Sequence, residues 1–277
     1  MNARPRTRAT RTAIAGLLAL GVPGCGGGMP LLHGARTLPK GDVTAYSGFS
    51  TQVATGDLSA GLANARRIAE TTVDPAVSKD PKFAEGALVA AAVAPGIAPV
   101  VGARVGIADD YEAGLAYTGR AARLDVRRQF GDGDVRLSVG LAGTAAFYGR
   151  LQGGTLPGVE LESMRGFGGD VPIVLGWESA ASIFRAWAGV RGGYERVSIG
   201  LVRSEPKTTT LGTVPASLTG DRFWGGGLVG VAAGFRRVHV AMELDVAYHS
   251  VSGNYAGTSA SVGGLTVAPA AAVLVHF

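Results

Sequence analysis

The stretch Val238–Val251, VHVAMELDVAYHSV, decides the fold, because its apolar residues recur at every second position. One face carries Val238, Val240, Met242, Leu244, Val246 and Tyr248, and the other carries His239, Ala241, Glu243, Asp245, Ala247 and His249. Such alternation is typical of a β-strand with two different faces. The stretch also exceeds the about 9–11 residues that a tilted strand needs to cross a bilayer. It therefore predicts a transmembrane β-strand.

The same alternation recurs along most of the chain after residue 97. The segments that follow it, together with 42–54, number about ten, an even number as single-chain barrels require. They are 42–54, 96–107, 111–118, 121–130, 134–150, 169–178, 182–202, 222–235, 238–255 and 264–277. The pattern predicts an all-β fold, a closed antiparallel membrane β-barrel of up-and-down topology with about ten strands, eight to twelve being possible.

The segment 85–130 leaves an alternative open. If 85–94 is itself a strand, 111–130 becomes one long strand and the total is unchanged. The uncharged run 86–102 contains Pro95 and Pro99, which argue against a membrane helix. Weak helical periodicity occurs only near 58–73, where Leu62, Ala65 and Ile68 share a face.

The connections between the predicted strands alternate in length. Short turns fall at 108–110, 131–133, 179–181 and 236–237, and long loops fall near 55–84, 151–168, 203–221 and 256–263. Outer-membrane barrels combine short periplasmic turns with longer external loops. The chain also contains 44 glycines, and small side chains suit the inward positions of a narrow barrel.

The N-terminus reads as an export signal. Arg4, Arg6, Arg8 and Arg11 precede a short apolar run over 13–22, which is too short to span a bilayer in a mature protein. Val22-Pro23-Gly24-Cys25 then resembles a bacterial lipobox, which implies a diacylglyceryl group on Cys25, the only cysteine. By that resemblance, Gly26 in place of Asp favours sorting to the outer membrane. We thus expect a signal peptide over 1–24, a lipidated tether over 25–41 and a barrel over 42–277.

Charge argues against nucleic-acid binding. The formal net charge is +5, but the four signal arginines account for most of it and leave about +1 on the mature chain. No Lys/Arg tract remains after the signal, and phosphate backbones are bound by clustered positive charge. The expected partners are instead outer-membrane lipids, the lipoprotein sorting machinery and the barrel assembly machinery.

The C-terminus carries a second resemblance. Leu265, Val267, Val273, Val275 and Phe277 share one face of the last predicted strand. A final strand with alternate apolar residues and a terminal aromatic resembles the signal that the barrel assembly machinery reads, so we expect Phe277 to act in assembly. The segment 104–114 also resembles the strand–turn–strand pattern of small Gram-negative outer-membrane barrels. This resemblance covers roughly 97–277 and names no functional family.

Charged residues of both signs share the inward face. By alternation they are Arg104, Glu112, Arg123, Asp125, Arg127, Arg136, Glu178, Arg185, Arg191, Glu195, Glu243 and Asp245. They could line a polar path for solutes or pair with one another across a filled lumen. We expect pairing, because a barrel of about this size is nearly filled by side chains and unpaired buried charges are costly. Little or no channel activity follows.

Catalytic, metal and cofactor sites are not indicated. His249, Ser250 and Ser252 resemble parts of an envelope-lipid hydrolase, but alternation places both serines on the face opposite His249, so the serines and their base would not meet without a bulge. His, Asp and Glu show no metal-ligand spacing, and the Gly-Gly-Gly runs lack the following Lys and helix of a phosphate loop. We expect no enzyme, metal or cofactor.

Three functions remain open. The first is a lipid-anchored outer-membrane barrel with a structural role or a passive role towards a small solute. The second is a periplasmic lipoprotein whose barrel binds an apolar ligand, and the third is a barrel hydrolase that acts on envelope lipids. The terminal Phe277 and the long apolar faces favour the first.

Overall fold

The computed structural model describes residues 26–72, 75, 78–147, 156, 159–204 and 216–277, and within them ten antiparallel strands close into one barrel. The strands are β1 Val43–Ala54, β2 Gly96–Ala108, β3 Tyr111–Tyr117, β4 Ala121–Phe130, β5 Val135–Phe147, β6 Val159–Glu178, β7 Phe184–Ser204, β8 Ala216–Phe235, β9 Val238–Tyr255 and β10 Thr258–His276. Each strand pairs with its neighbours in sequence, and β10 pairs with β1. The prediction of an all-β, up-and-down antiparallel barrel is confirmed.

The two ends of the barrel differ. The β2–β3, β4–β5, β6–β7 and β8–β9 connections are short and lie at the end where β1 begins and β10 finishes, which we call the short-turn end. Arg236 in the two-residue β8–β9 turn has a φ of 55°, as tight hairpin turns require. The opposite end, the far end, carries the long β1–β2 connection. Several strands are longer than predicted there, because β6 begins at Val159, β8 at Ala216 and β10 at Thr258.

The outer surface is an apolar band with polar edges. On β9 the outward residues Val240, Met242, Leu244, Val246 and Tyr248 are between 40% and 59% exposed. From Val238 to Tyr248 the strand rises about 33 Å, or about 25 Å along the axis of a barrel with strands tilted by about 40°. The outward residues next on this strand, at 250 and 252, are exposed serines. The band thus has the height of a bilayer core.

Aromatic residues mark both edges of this band. Exposed rings near the short-turn end belong to Tyr111, Phe130, Trp177, Phe184, Phe235 and Phe277. Exposed rings toward the far end belong to Phe167, Tyr194, Phe223 and Tyr248. Beyond the second set the outward positions become polar, as at Arg165, Arg196 and Asp221. Two aromatic girdles of this kind are typical of membrane barrels.

Two helices occupy the β1–β2 connection. They are α1, Gly56–Thr71, and α2, Pro81–Leu88, which continues into a π-helical turn over Val89–Val93. The loop expected near 55–84 is therefore largely helical, and the alternative strand at 85–94 is wrong, because its run of Ala and Val is buried on every side rather than in alternation. None of the helices in the described ranges has the length and apolarity needed to cross a bilayer.

The helices close the far end from inside. Their apolar residues form one core with inward residues of β7, β8 and β9, among them Ile199, Leu218 and Tyr255. Phe83 of α2 packs edge-on against Tyr255 with 5.3 Å between ring centroids. Asp80 caps α2 by accepting a hydrogen bond of 2.9 Å from the amide of Lys82. The helix pair is thus a lid that is packed like a protein core.

The segment 26–39 lies inside the barrel. Gly26 and Gly27 contact Ala94 under the lid, and the chain then runs through the lumen to the short-turn end, where the Gly41 amide donates to the Gly106 carbonyl at 2.8 Å. We call residues 26–39 the luminal segment. The sequence indicated a tether over 25–41, but the structure places 26–39 in the lumen, because polar groups of the barrel wall bind its main chain.

Candidate functional site

The wall of the lumen carries a chain of ion pairs. In order of contact, and with alternating sign, its members are Arg127, Glu112, Arg104, Asp125, Arg123, Asp170 and Arg191. These residues come from β2, β3, β4, β6 and β7, each at an inward position. All are at most 5% exposed. This series of ion pairs links five strands through charged side chains, each of which would be costly to bury without a partner.

Asp170 is the best-satisfied carboxylate of this chain. It accepts from Arg191 at 2.8 and 2.9 Å and from Arg123 at 2.9 and 3.1 Å. Both contacts are of the two-pronged kind in which a planar guanidinium meets both carboxylate oxygens. Asp170 therefore holds Arg123 of β4 and Arg191 of β7 in fixed positions.

A second charged cluster lies under the lid. The Glu195 carboxylate accepts from Arg120 at 2.8 Å and from Arg222. Arg120 also donates to the Ala92 carbonyl of the π-helical turn at 3.1 Å. Gln52 donates to the Val93 carbonyl at 3.0 Å. This cluster ties the lid to the wall below it.

Glu243 is a predicted luminal carboxylate whose hydrogen bonds in the described structure come from groups other than arginine. Its oxygens accept from the amides of Leu31 at 2.6 Å and Leu32 at 2.9 Å, and from the indole of Trp187 at 2.8 Å. Glu243 is 4% exposed. A charge predicted to pair across the lumen thus binds the main chain of the luminal segment instead.

Other wall groups hold the same segment. Arg127 donates to the carbonyls of Gly34 and Arg36, and Arg191 donates to the carbonyl of Met29. Further bonds join Ser50 to the Gly28 carbonyl at 2.9 Å, the Thr37 amide to Gln129 at 2.8 Å and the Leu38 amide to Glu112 at 2.9 Å. Almost every hydrogen bond between the wall and the luminal segment is thus made to a main-chain atom of the segment.

The remaining predicted charges lie nearer the openings. Glu178 at the short-turn rim accepts from Arg185 at 3.2 Å and pairs with Arg36 of the luminal segment at 3.4 Å. Arg136 donates to the Gly133 carbonyl at 3.0 Å, within its own turn. Asp245 faces a small cavity of about 40 Å³ that also borders Arg191 and His249. These charges therefore do not all form one paired network.

Three charged members of the lumen escaped the sequence prediction, namely Arg120, Asp170 and Arg222. Asp170 is the second residue of the predicted strand 169–178 and Arg222 the first residue of 222–235, and both share the inward parity of their strands. Arg120 lies in the β3–β4 turn, which has no alternation. Parity within those two predicted strands is enough to place Asp170 and Arg222 inward, whereas no pattern indicates Arg120.

A cavity of about 340 Å³ opens at the short-turn end. It lies between the luminal segment and a rim that includes Asp42, Arg136, Glu178, Arg185 and His276. The ring of His276 is hydrogen-bonded to Thr44 at 2.6 Å. The rim therefore offers charges of both signs to whatever enters from this side.

Residues that suggested a hydrolase do not meet. His249 points inward and is hydrogen-bonded to the Thr266 hydroxyl at 2.8 Å, whereas Ser250 and Ser252 point outward. The described residues hold no group of three or more His, Cys, Asp or Glu side chains placed to bind a metal. Cys25 lies outside the described residues, and Phe277 directly follows the last strand, with its amide donating to the Val43 carbonyl at 2.9 Å.

Comparisons with known proteins give similarity of shape only. No family model matches the chain, and no curated protein matches it. Among solved structures, Neisserial surface protein A (NspA) is 10% identical with a TM-score of 0.32, over 85% of this chain and 96% of that one. The CymD monoaromatic hydrocarbon channel is 8% identical with a TM-score of 0.23, over 87% and 89%. The RagAB peptide transporter is 12% identical with a TM-score of 0.24, over 83% of this chain and 36% of that one. Similarities at this level carry no argument about function.

Proposed function

We propose that this protein is a self-sealed barrel of the Gram-negative outer membrane with a structural or passive role, and that it is neither an open pore nor an enzyme. One observation carries the proposal: the outer surface is an apolar band of about 25 Å, while the lumen inside that band is filled by ion pairs, the luminal segment and the lid. Charges that are paired with one another leave little net electrostatic field in the lumen to select ions.

A ligand-binding barrel in the periplasm is the second candidate, and the same observation disfavours it. Soluble binding barrels are apolar inside and polar outside, so that an apolar ligand is enclosed. Here the inward residues include Arg104, Glu112 and Asp170, all buried, while Leu124, Leu141 and Phe167 are between 62% and 69% exposed. A surface of that kind is stable against lipid rather than against water.

Planar-bilayer recording tests the sealed state. We expect the purified wild-type protein, folded in detergent and shown to be heat-modifiable on gels, to give no long-lived open channels. A variant that lacks the lid, with residues 56–93 replaced by a short Gly/Ser linker, serves as the matched comparison, because it removes the far-end closure. Stable channels from the wild type would overturn the sealed barrel and favour a pore.

The lipid anchor remains part of the proposal and has its own test. Gly26, the neighbour of Cys25, lies under the lid at the far end of the lumen. A lipid on Cys25 held in the inner leaflet would thus require residues 26–39 to leave the lumen, and the lid and the ion pairs would then seal the acylated form. We expect a fatty-acid analogue to label the wild type and not Cys25→Ala in growing cells. Labelling of both, or of neither, would contradict acylation at Cys25.

A further inference from the structure

The luminal segment is bound as a ligand is bound, not as a strand of the wall. Within the described residues, the one isolated β-bridge near it joins Gly106 of β2 to Lys40, the residue that follows the segment. The barrel closes through β1 and β10 without it. Removing the segment would consequently leave the hydrogen-bond ladder of the ten strands intact.

The wall recognises the main chain of this segment rather than most of its side chains. Two amides reach Glu243, one reaches Glu112, and Arg127 takes two carbonyls. Such contacts are available to any peptide that adopts the same backbone conformation, because every residue but proline offers an amide and every residue offers a carbonyl. Recognition of this kind accepts many sequences in one conformation.

Beside the contacts of His33 with Arg127 and of Arg36 with Glu178, side chains of the segment are held in an apolar pocket. Leu31 and Leu32 are each 1% exposed and Ala35 is fully buried, packed in a cluster that includes Val174 and Trp187 of the wall. Gly176 has no room for a Cβ because the Ala35 amide would lie 2.6 Å from it. The pocket thus fits two adjacent aliphatic residues and, two positions after the second of them, the small pair Gly34 and Ala35.

The resident segment is not an ideal occupant. Leu32 has a φ of 56°, in the left-handed region that residues with a side chain rarely adopt. The cavity of about 340 Å³ lies beside residues 32–39, opens at the short-turn end and has Glu112 and Arg127 in its lining. A buried carboxylate such as Glu243 would be hydrated from this side if the segment left.

We propose that the lumen is a binding site for a peptide segment with two adjacent aliphatic residues, entered from the short-turn end, and that residues 28–38 occupy it in cis. The lid closes the other end, so the site is a blind pocket and not a conduit. The proposal goes beyond the sealed barrel, because the wild type is sealed whether or not another peptide can replace its own segment.

The test measures binding of a fluorescent synthetic peptide, GGGMPLLHGARTLP, to purified barrels in detergent. A deletion variant without residues 26–38 should bind it saturably, and the full chain should bind at least tenfold more weakly because its own segment competes. A peptide with aspartate in place of both leucines should not bind. Saturable binding of that control peptide, or equal binding by the full chain, would overturn the site.

Point variants in the deletion background locate the contact. Glu243→Gln leaves one acceptor oxygen where the carboxylate offers two to the amides of the peptide. Peptide binding should therefore weaken at least tenfold. Asp245→Asn, on the same strand and the same face, has no hydrogen bond to the segment and should leave affinity within twofold. An unchanged affinity in Glu243→Gln would contradict binding in this pose.

A full-length variant covers the case in which the deletion does not fold. Leu31→Asp/Leu32→Asp keeps the chain length but removes the apolar anchors, so the segment should leave the pocket and the free peptide should bind. Trp187 reports the exchange through its fluorescence, because its indole donates to Glu243 beside the segment. A heat-modifiable, folded variant of this kind that binds no peptide overturns the proposal, and conductance results bear only on the sealed barrel.

Discussion

Inward glycines stand opposite the largest side chains of the lumen. A Cβ on Gly114 would come within 2.7 Å of the Arg104 guanidinium, and one on Gly230 would come within 2.2 Å of the Trp187 ring. A barrel of ten strands has little interior volume, so a long side chain on one strand requires a minimal one on the next. Individual glycines thus decide where the buried arginines can lie.

Asp170→Asn should be among the most damaging changes of charge in the lumen. The substitution leaves Arg123 and Arg191 buried and short of negative charge, so we expect a loss of about 3–5 kcal/mol in the free energy of unfolding. Asp245→Asn is the matched control, since Asp245 has no hydrogen bond in the described structure and should cost under about 1 kcal/mol. Urea unfolding in detergent measures both, and equal losses would show that the ion-pair chain adds no stability.

At the scale of elements, the lid depends on the barrel for its order. An isolated helix of the length of α1, 16 residues, is marginal in water. Its buried face, Leu58, Leu62 and Ala65, packs on α2 and on the wall, so tertiary contact supplies what local propensity does not. The two helices approach most closely at Gly86, where a Cβ would lie 2.3 Å from the Cβ of Ala65.

Gly86→Val should therefore undock the lid without unfolding the barrel. The added side chain must push α1 away, at a cost of about 1–3 kcal/mol. We expect faster tryptic cleavage at Arg66 and Arg67 of α1 and an unchanged strand signal in circular dichroism. Gly143→Val, on the outward face of β5 with no atom within 4 Å of the added Cβ, should be cleaved at the wild-type rate. Equal cleavage of the two variants would argue against close packing of the helices.

On the scale of the whole molecule, the barrel is the inverse of a soluble one. Many of its large apolar side chains are exposed on the outer face, and its buried positions in the lumen include Arg, Glu and Asp. Only a surrounding apolar solvent makes that distribution favourable, because exposed patches of this extent are not stable in water. The depth of the apolar band should therefore be measurable by substitution.

Leu244→Arg and Ser250→Arg place the same residue on the same face of β9 at two depths. At Leu244, within the band, we expect a loss of about 2–4 kcal/mol, and at Ser250, beyond Tyr248, about 0–1 kcal/mol. Unfolding in lipid vesicles gives both values. A cost at Ser250 as large as that at Leu244 would contradict the position of the bilayer edge that the aromatic girdles indicate.

The sequence alone predicted about ten strands, with eight to twelve possible, and it indicated their faces and the short turns. Alternation is a local property, since each strand carries its own apolar face whatever its partners are, and tight turns carry their own residue types. The inward parity of Arg104, Glu112, Asp125 and Arg191 could be predicted for the same reason. The strand ends near 159 and 216 were less clear, because glycine, proline and threonine conceal alternation there.

Only the tertiary structure decided what fills the lumen. Parity assigns a side chain to a face but not to a partner, and Glu243 finds its partners in amides 211 and 212 residues away in the chain. The luminal segment has no periodicity of its own, because its main-chain groups are satisfied by side chains from distant strands. Barrel closure brings those side chains around one axis. The contents of the lumen are thus set by register and closure, which no local pattern encodes.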